Sequence, residues 1–161
     1  MSITEDQFRK TLGLFPTGVT VVTTRGEDHQ PMGITISSLT SVSLEPPQVL
    51  FCLARKSRMH PIFKAAEYFV INLLNSKQAH LSEGFANRQD LNLDVEKISV
   101  HEKSGCLLIT EALGHIVCEI SAVYDGGDHD IILGRVIDVM AAPEHFPLIR
   151  HSGKYHTIQQ L

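Results

Sequence analysis

No apolar run in this chain of 161 residues approaches the ~18–20 residues that a membrane-spanning helix needs, which excludes a helical transmembrane segment. Cysteine is scarce: Cys52, Cys106 and Cys118 are odd in number, widely spaced and set among apolar residues, and no C-x-x-C pair exists. Cysteine-based zinc and thioredoxin-like sites therefore lack their ligands, and the thiols read as buried and reduced in a cytosolic protein. There is no basic excess either. Fourteen Lys and Arg against eighteen Asp and Glu give a net charge of −4, opposite in sign to what a nucleic-acid binder carries. The acidic, polar start Met1–Asp6 is unlike a signal peptide, which points to the cytoplasm.

Motif absences narrow the chemistry. Neither G-x-x-x-x-G-K-[ST] nor a G-x-G-x-x-G between strand and helix occurs, and there is no G-x-S-x-G elbow. Asp90–Asp94 starts like a calcium loop, but Val95 replaces the required glycine and His101 stands where the closing glutamate belongs. The nine histidines form neither H-E-x-x-H nor H-x-H, so no metal is expected, and His29, His80, His101 and His145 read as scattered surface residues.

What is present is ordinary globular composition, 43% apolar and 20% charged, long enough for one domain spanning residues 1–161. Thr4-Glu5-Asp6-Gln7 reads as a capping box, followed by Phe8, Leu12 and Phe15 at helical spacing, with Pro16-Thr17-Gly18 as the stop. Val19–Thr24 and Met32–Ser37 are rich in β-branched residues and flank a polar turn, so they predict a hairpin. Ser38–Ser43 would extend its second strand up to Glu45-Pro46-Pro47. Val49–Leu53 predicts a strand buried on both faces, and His60–Ala66 a short helix with Pro61 in its first turn. Tyr68–Leu74 is a further strand, and Ser76 would cap a helix holding Ala79, Phe85 and Ala86. After a polar, irregular stretch from Arg88 to Lys103, Leu113–Tyr124 and Asp130–Met140 predict long strands joined by Asp125-Gly126-Gly127-Asp128. Strands dominate, so the expected fold is mainly β, a barrel with short peripheral helices.

Three segments hold possible chemistry. Between Ser37 and Ser43 lie five serines and threonines; such a strand is commonly just half exposed, yet it also offers donors for a phosphate or polar heterocycle. Ala54-Arg55-Lys56-Ser57-Arg58-Met59-His60 puts three cations and a hydroxyl before a helix, either a solvated basic loop or an anion site. In Gly126-Gly127-Asp128-His129-Asp130 an imidazole between carboxylates sits where a turn enters a strand; it needs no role beyond the turn, but could orient a polar substrate.

Taken in order, these segments resemble the short-chain flavin reductase family, the reductase components of two-component flavin-dependent monooxygenases, whose fold is the FMN-binding split barrel. The resemblance runs from about Phe8 to Tyr155 and rests on Phe15-Pro16-Thr17-Gly18-Val19, Ser37–Pro47, Lys56-Ser57-Arg58-Met59-His60-Pro61, Phe69–Leu74, Gly127-Asp128-His129 and Gly153-Lys154-Tyr155. It implies a flavin, FMN or FAD, lying along Thr35, Ser37, Ser38, Leu39, Thr40, Ser41, Val42 and Ser43. Ala54, Arg55, Lys56, Ser57 and His60 would form the phosphate end, with Phe85 and Arg88 near the flavin. Asp128 and His129 would face the nicotinamide of NADH or NADPH, with Asp128 and Asp130 orienting the imidazole, and Tyr155 would close the site. The resemblance also implies a homodimer and a partner monooxygenase. Leu39 replaces an aromatic common in the family, and Ser38 stands where several relatives carry other small polar residues. These departures leave the flavin preference open. No acid–base pair is expected, because hydride transfer from nicotinamide to flavin requires orientation alone. Two other readings stay open: an electron-transfer flavoprotein that keeps its FMN, and a non-catalytic flavin-binding module.

Overall fold

Thr4 starts the chain's first helix. Its hydroxyl accepts from the Gln7 amide at 3.2 Å, and the Gln7 side chain accepts from the Thr4 amide at 3.0 Å, which completes a capping box for α1 (Glu5–Gly13). The helix stops before Pro16, with Leu14 as its C-cap. None of its residues is buried: Phe8 and Leu12 are each 56% exposed, so its apolar spacing has no counterpart within one chain. The computed structural model describes residues 2–26, 30–87, 98–142 and 145–159.

The remaining elements are β1 (Thr17–Gly18), β2 (Thr20–Arg25), β3 (Pro31–Ile36), β4 (Thr40–Leu44), β5 (Pro47–Ala54), α2 (His60–Ala65), β6 (Tyr68–Leu73), α3 (Ala79–Asn87), β7 (Ile98–Val100), β8 (Leu107–Ile109), β9 (Gly114–Asp125), β10 (His129–Ala141), β11 (Ile149–His151) and β12 (Lys154–His156). Seven of the strands form one antiparallel sheet in the order β3-β2-β6-β9-β10-β5-β4. The expected hairpin of β2 and β3 is present, and so is the long β9–β10 hairpin. Gly127 takes φ +84° in the turn of the latter, a conformation that glycine adopts without steric cost.

That strand order dictates closure. β3 and β4 occupy opposite edges of the sheet, yet only Ser37, Ser38 and Leu39 separate them in sequence. Laid flat, the edges would be about 29 Å apart at ~4.8 Å per strand spacing, whereas a three-residue link reaches about 14 Å. The sheet must therefore curl until its edges nearly meet. The result is the mainly β barrel that the sequence pattern predicts, split as the family resemblance implies, with the split at the Ser37–Leu39 link.

The core inside the curl is centred on Phe51, whose ring meets Phe63 edge-on at 5.5 Å and Phe69 at 5.2 Å. Asn72, fully buried, donates to the Val21 carbonyl at 3.0 Å and accepts from the Ile109 amide at 2.8 Å, tying β2 and β8 to β6. α3 lies over β3, where a Cβ on Gly33 would come within 2.7 Å of the Phe85 ring; the glycine is what lets the ring approach. Among the described residues, no helix is long and apolar enough to cross a membrane.

Several sequence expectations are corrected. Ser38–Ser43 does not prolong β3: the chain leaves the sheet at Ser37 and re-enters at the far edge as β4. β5 is not buried on both faces but alternates, with Val49, Phe51 and Leu53 buried and Leu50, Cys52 and Ala54 half-buried on the outer face. Cys52 is accordingly not a buried thiol, unlike Cys106 and Cys118; burial pushes the Cys118 thiol up to about 12. The turn before α3 is held by Asn75, which accepts from the Lys77 amide at 2.7 Å, and by Gln78, which accepts from the Asn75 amide at 3.1 Å; Ser76 instead donates its amide to Phe146. Within the stretch expected to be irregular from Arg88 to Lys103, Ile98–Val100 form β7, paired with β8, while residues 88–97 lie outside the described residues; β1, β11 and β12 make a small separate sheet. The calcium-like run Asp90–Asp94 lies outside the described residues.

Candidate functional site

At the split, the Ser38 hydroxyl accepts from the Cys52 amide at 3.0 Å and donates to the Cys52 carbonyl at 3.3 Å. A side chain thus replaces the ladder bonds that the interrupted strand would have made. The outer face of β5 beside this staple is the floor of a cleft of about 430 Å³, lined also by Ile34, Thr35 and Ser37, by Arg150 and Tyr155, and by His129, whose strand position pairs with Ala54. Toward the β5–α2 loop it continues, through Ile34, Ala54 and Ala86, into a recess of about 290 Å³ lined by Lys56, Ser57, Arg58 and Phe85. In the other direction it opens, past Val19, Ser38 and Cys52, into an apolar bay of about 700 Å³ lined by Phe15, Leu39, Leu50, Leu113 and Leu148, with Thr40 at its margin.

One carboxylate fixes the geometry of the basic end. Asp130 is 8% exposed and lies next to His129 on β10, so the two side chains point to opposite faces. Its Oδ1 accepts from Arg55 Nε at 2.8 Å, and its Oδ2 lies 2.7 Å from His60 Nε2. The same guanidinium reaches Asp125 Oδ2 at 2.6 Å, Asp125 accepts from the Gly127 amide at 3.0 Å, and the Arg55 amide donates to the Asp128 carbonyl at 3.0 Å. The β5–α2 loop and the β9–β10 turn are thereby bolted together. The His60 hydrogen bond first, and then that of Arg55, hold the Asp130 carboxyl below the usual carboxylate range; the Gly127 amide and Arg55 do the same for Asp125.

The structure separates the expected site residues into distinct groups. Thr35, Ser37, Ser38, Ala54, His129 and Tyr155 line the central cleft, Lys56, Ser57 and Phe85 the basic recess, and Leu39 and Thr40 the apolar bay. Ser41, Val42 and Ser43 are elsewhere, on edge strand β4 beyond the walls of these three cavities. Arg55 and His60 sit beside the recess with their charged or polar atoms turned to Asp130, so they brace the loop instead of facing the cavity. Asp130 likewise does not orient His129. That task falls to Asp128, whose Oδ1 lies 2.7 Å from His129 Nδ1; a carboxylate can only accept, so Nδ1 donates and Nε2 is left for a ligand. The His129 hydrogen bond also lowers the Asp128 pKa. Arg88 lies outside the described residues.

The hydroxyl array is less available than its density suggests. Ser38 is spent on Cys52, Thr35 donates to the Ser82 carbonyl at 2.7 Å, and Ser57 accepts from the Met59 amide at 3.2 Å while keeping its own O–H to give. α2 has only six residues and no side-chain cap, so the anion-binding capacity of the recess rests on Lys56, Arg58 and the Ser57 hydroxyl. Among the polar lining residues, Cys52, Ser82 and Arg150 are absent from the expected site residues, and Arg58 enters there only as a cation of the basic loop. The outward phase of β5 could have found Cys52, and Arg58 stood in the flagged loop; Ser82 and Arg150 carry no local signal. A cleft with a cationic recess, flat apolar surfaces and one oriented imidazole fits an elongated ligand with a phosphate at one end and a planar ring system beyond it.

The flavin reductase like domain family matches residues 12–159. A NADH-dependent FAD reductase from Streptomyces globisporus is 37% identical over 153 residues, 92% of this chain and 83% of the relative. Reductase subunit HsaB of a flavin-dependent monooxygenase from Rhodococcus jostii is 35% identical over 157 residues, 95% of this chain and 77% of the relative. The solved structure of the Streptomyces globisporus C-1027 NADH:FAD oxidoreductase SgcE6, in complex with NAD and FAD fragments, superposes with a TM-score of 0.90 at 35% identity, covering 99% of this chain and 98% of that one.

The Asp130 cluster has a pH signature. A carboxyl whose native pKa is lowered contributes its stabilisation in full above the ordinary carboxylate range and loses it as the pH falls through and below that range. Thermal unfolding of the chain and of Asp130→Asn between about pH 7 and about pH 3 will show the variant less stable at neutrality and the gap closing in acid. A gap that stays constant with pH would mean that the carboxylate charge is not what holds the loop.

Proposed function

The chain belongs to the flavin reductase-like family, and on that footing we propose that it is an NAD(P)H:flavin oxidoreductase that reduces FAD or FMN and supplies the reduced flavin to a partner monooxygenase. The carrying observation is a single cleft with a cationic recess at one end and an aspartate-oriented imidazole on its wall. The residues present suit a flavin. Lys56, Arg58 and the Ser57 hydroxyl would take the phosphate, Ser37 the ribityl chain, and the outer face of β5 at Cys52 and Ala54 would support the ring.

Bound flavin supplies the N5 acceptor for a hydride from nicotinamide C4. The protein's own part is positional. His129, anchored by Asp128, would present Nε2 to the nicotinamide side, and Tyr155, whose hydroxyl lies 2.8 Å from Ser82 Oγ, would close the cleft over the stack. The buried side chains of Val19, Ile36 and Leu53 would exclude water from the reacting faces. Nothing in this arrangement calls for a nucleophile or a proton relay.

We further propose a homodimer. In one chain, Phe15 of the apolar bay is 71% exposed, and Phe8, Leu12, Leu14 and Leu44 are exposed as well. A second copy covering them would bury the more than ~1,000 Å² that a stable contact needs. The free, deeply buried thiols of Cys106 and Cys118 suit a cytoplasmic location.

NADH consumption with FMN, FAD and riboflavin tests the activity. Added flavin will accelerate it and the protein will leave gel filtration nearly colourless; a yellow protein indifferent to added flavin would instead favour a tightly held prosthetic group. Lys56→Ala with Ser57→Ala will weaken FMN by roughly 2–4 kcal/mol and riboflavin far less, whereas equal weakening would remove the loop from the phosphate site. His129→Ala will lower kcat/KM for NADH about ten- to a hundredfold with oxidised-flavin affinity nearly intact. Lost flavin binding with a normal KM for NADH would make His129 an ordinary turn residue. Sedimentation at micromolar concentration will give a dimer, and a fully active monomer would overturn that assignment.

A further inference from the structure

The cleft has a second cation that the proposed flavin contacts do not use. Arg150 lies in β11 directly opposite Tyr155 in β12, so the two side chains share a face, and the Arg150 guanidinium carbon stands 4.8 Å from the centre of the Tyr155 ring. Tyr155 is itself fixed from below by Ser82 in α3. Stacking on a held ring restricts the guanidinium to one orientation while leaving its N–H donors outward. Arg150 lines the central cleft together with His129, Thr35 and Ser37, and among the described residues it forms no ion pair with a carboxylate. Lys56 and Arg58 line the separate recess instead.

The local charge points the same way. From His145 to Leu161 the sequence contains no Asp or Glu, and it carries Arg150 and Lys154, in a chain whose net charge is −4. Lys154 precedes Tyr155 in β12 and so points to the opposite face, which makes Arg150 the cation that this hairpin gives to the cleft. The cleft thus has two cationic stations, one at the β5–α2 loop and one on the β11–β12 hairpin, and the imidazole of His129 lines the same central cleft as Arg150. Two ligands bearing phosphate, one at each station, fit that layout.

Resting on the flavin reductase reading, we propose that Arg150 binds the phosphates of the nicotinamide dinucleotide and so makes the enzyme prefer a whole dinucleotide to a bare dihydronicotinamide. The flavin phosphate goes to Lys56, Ser57 and Arg58; the reductant phosphates go to the guanidinium stacked on Tyr155. Arg150 is a specificity-determining residue: it contacts the part of the reductant that does not react.

The test uses the intact protein, riboflavin as a phosphate-free acceptor, and two reductants, NADH and the phosphate-free 1-benzyl-1,4-dihydronicotinamide. For Arg150→Leu, the ratio of kcat/KM with NADH to kcat/KM with the benzyl compound falls at least roughly tenfold, through KM for NADH, and Arg150→Lys recovers part of it. In the unaltered protein KM for NADH rises between about 0.05 M and about 0.5 M KCl while the benzyl compound is insensitive. Should Arg150→Leu fail to fold, Arg150→Gln carries the same comparison of NADH with the benzyl compound, and its KM for NADH loses the salt dependence of the unaltered protein. Equal losses with both reductants, or a flat salt dependence for NADH, would overturn the proposal and leave Arg150 as a support for Tyr155. A rise in KM for FMN but not riboflavin, with NADH unaffected, would overturn it in favour of the flavin phosphate. If the unaltered protein oxidises neither reductant with any flavin, the flavin reductase reading falls and the proposal falls with it.

Discussion

Three residues, Ser37, Ser38 and Leu39, must join the two opposite edges of a seven-stranded sheet. A link that short cannot cross a flat sheet of this width, so the curl of the barrel, the position of its split and the exposure of the outer face of β5 all follow from it. The Ser38 hydroxyl then bonds both backbone groups of Cys52, closing the place where the ladder is interrupted. A barrel pinned in this way has an accessible seam beside the link. The cleft is that seam, and its floor is the half of β5 that the core does not need.

The seam's walls are held by polar interactions that leave little slack. Asp130 ties the loop bearing Lys56 and Ser57 to the turn bearing His129, through Arg55 and His60. Ser82 does the same for the far wall, receiving Thr35 on its carbonyl and meeting Tyr155 at its hydroxyl. Reactions whose chemistry resides in the bound molecules gain from a protein chiefly through fixed relative placement. The division of labour between His129, which faces the cleft, and its neighbour Asp130, which faces the brace, shows how one strand's alternation supplies both a ligand-facing group and its support.

Much of this was legible in sequence, and the failures have physical causes. The capping box of Thr4 and Gln7, the hairpins of β2–β3 and β9–β10, and the short helix after His60 were carried by local chemistry, which a sequence states directly. The continuation of β3 through Ser38 was misread because β-branched and hydroxyl residues run on unbroken to Ser43, and nothing local reveals that the chain changes edges at Ser37. For β5 the apolar run Val49–Leu53 concealed an outer face that another molecule, and not the core, is shaped to cover. Arg55 and His60 were assigned to a ligand because a basic loop looks the same whether its charges meet phosphate or the carboxylates of Asp125 and Asp130, which lie 70 or more residues away in β9 and β10. Arg150 was invisible for the same reason: its meaning comes from Tyr155 across a hairpin and from the cleft beyond it.

The central claim is that the seam between the link and β5 is where flavin and nicotinamide meet. The most direct measurement is a crystal structure of the protein soaked with FMN and NAD. The account predicts the FMN phosphate against Lys56, Ser57 and Arg58, its ring on the outer face of β5 at Cys52 and Ala54, and the nicotinamide stacked on that ring beside His129. Flavin bound elsewhere, such as in the groove lined by Arg25, Met32, Pro61 and Ile62, with the seam filled only by solvent, would contradict it.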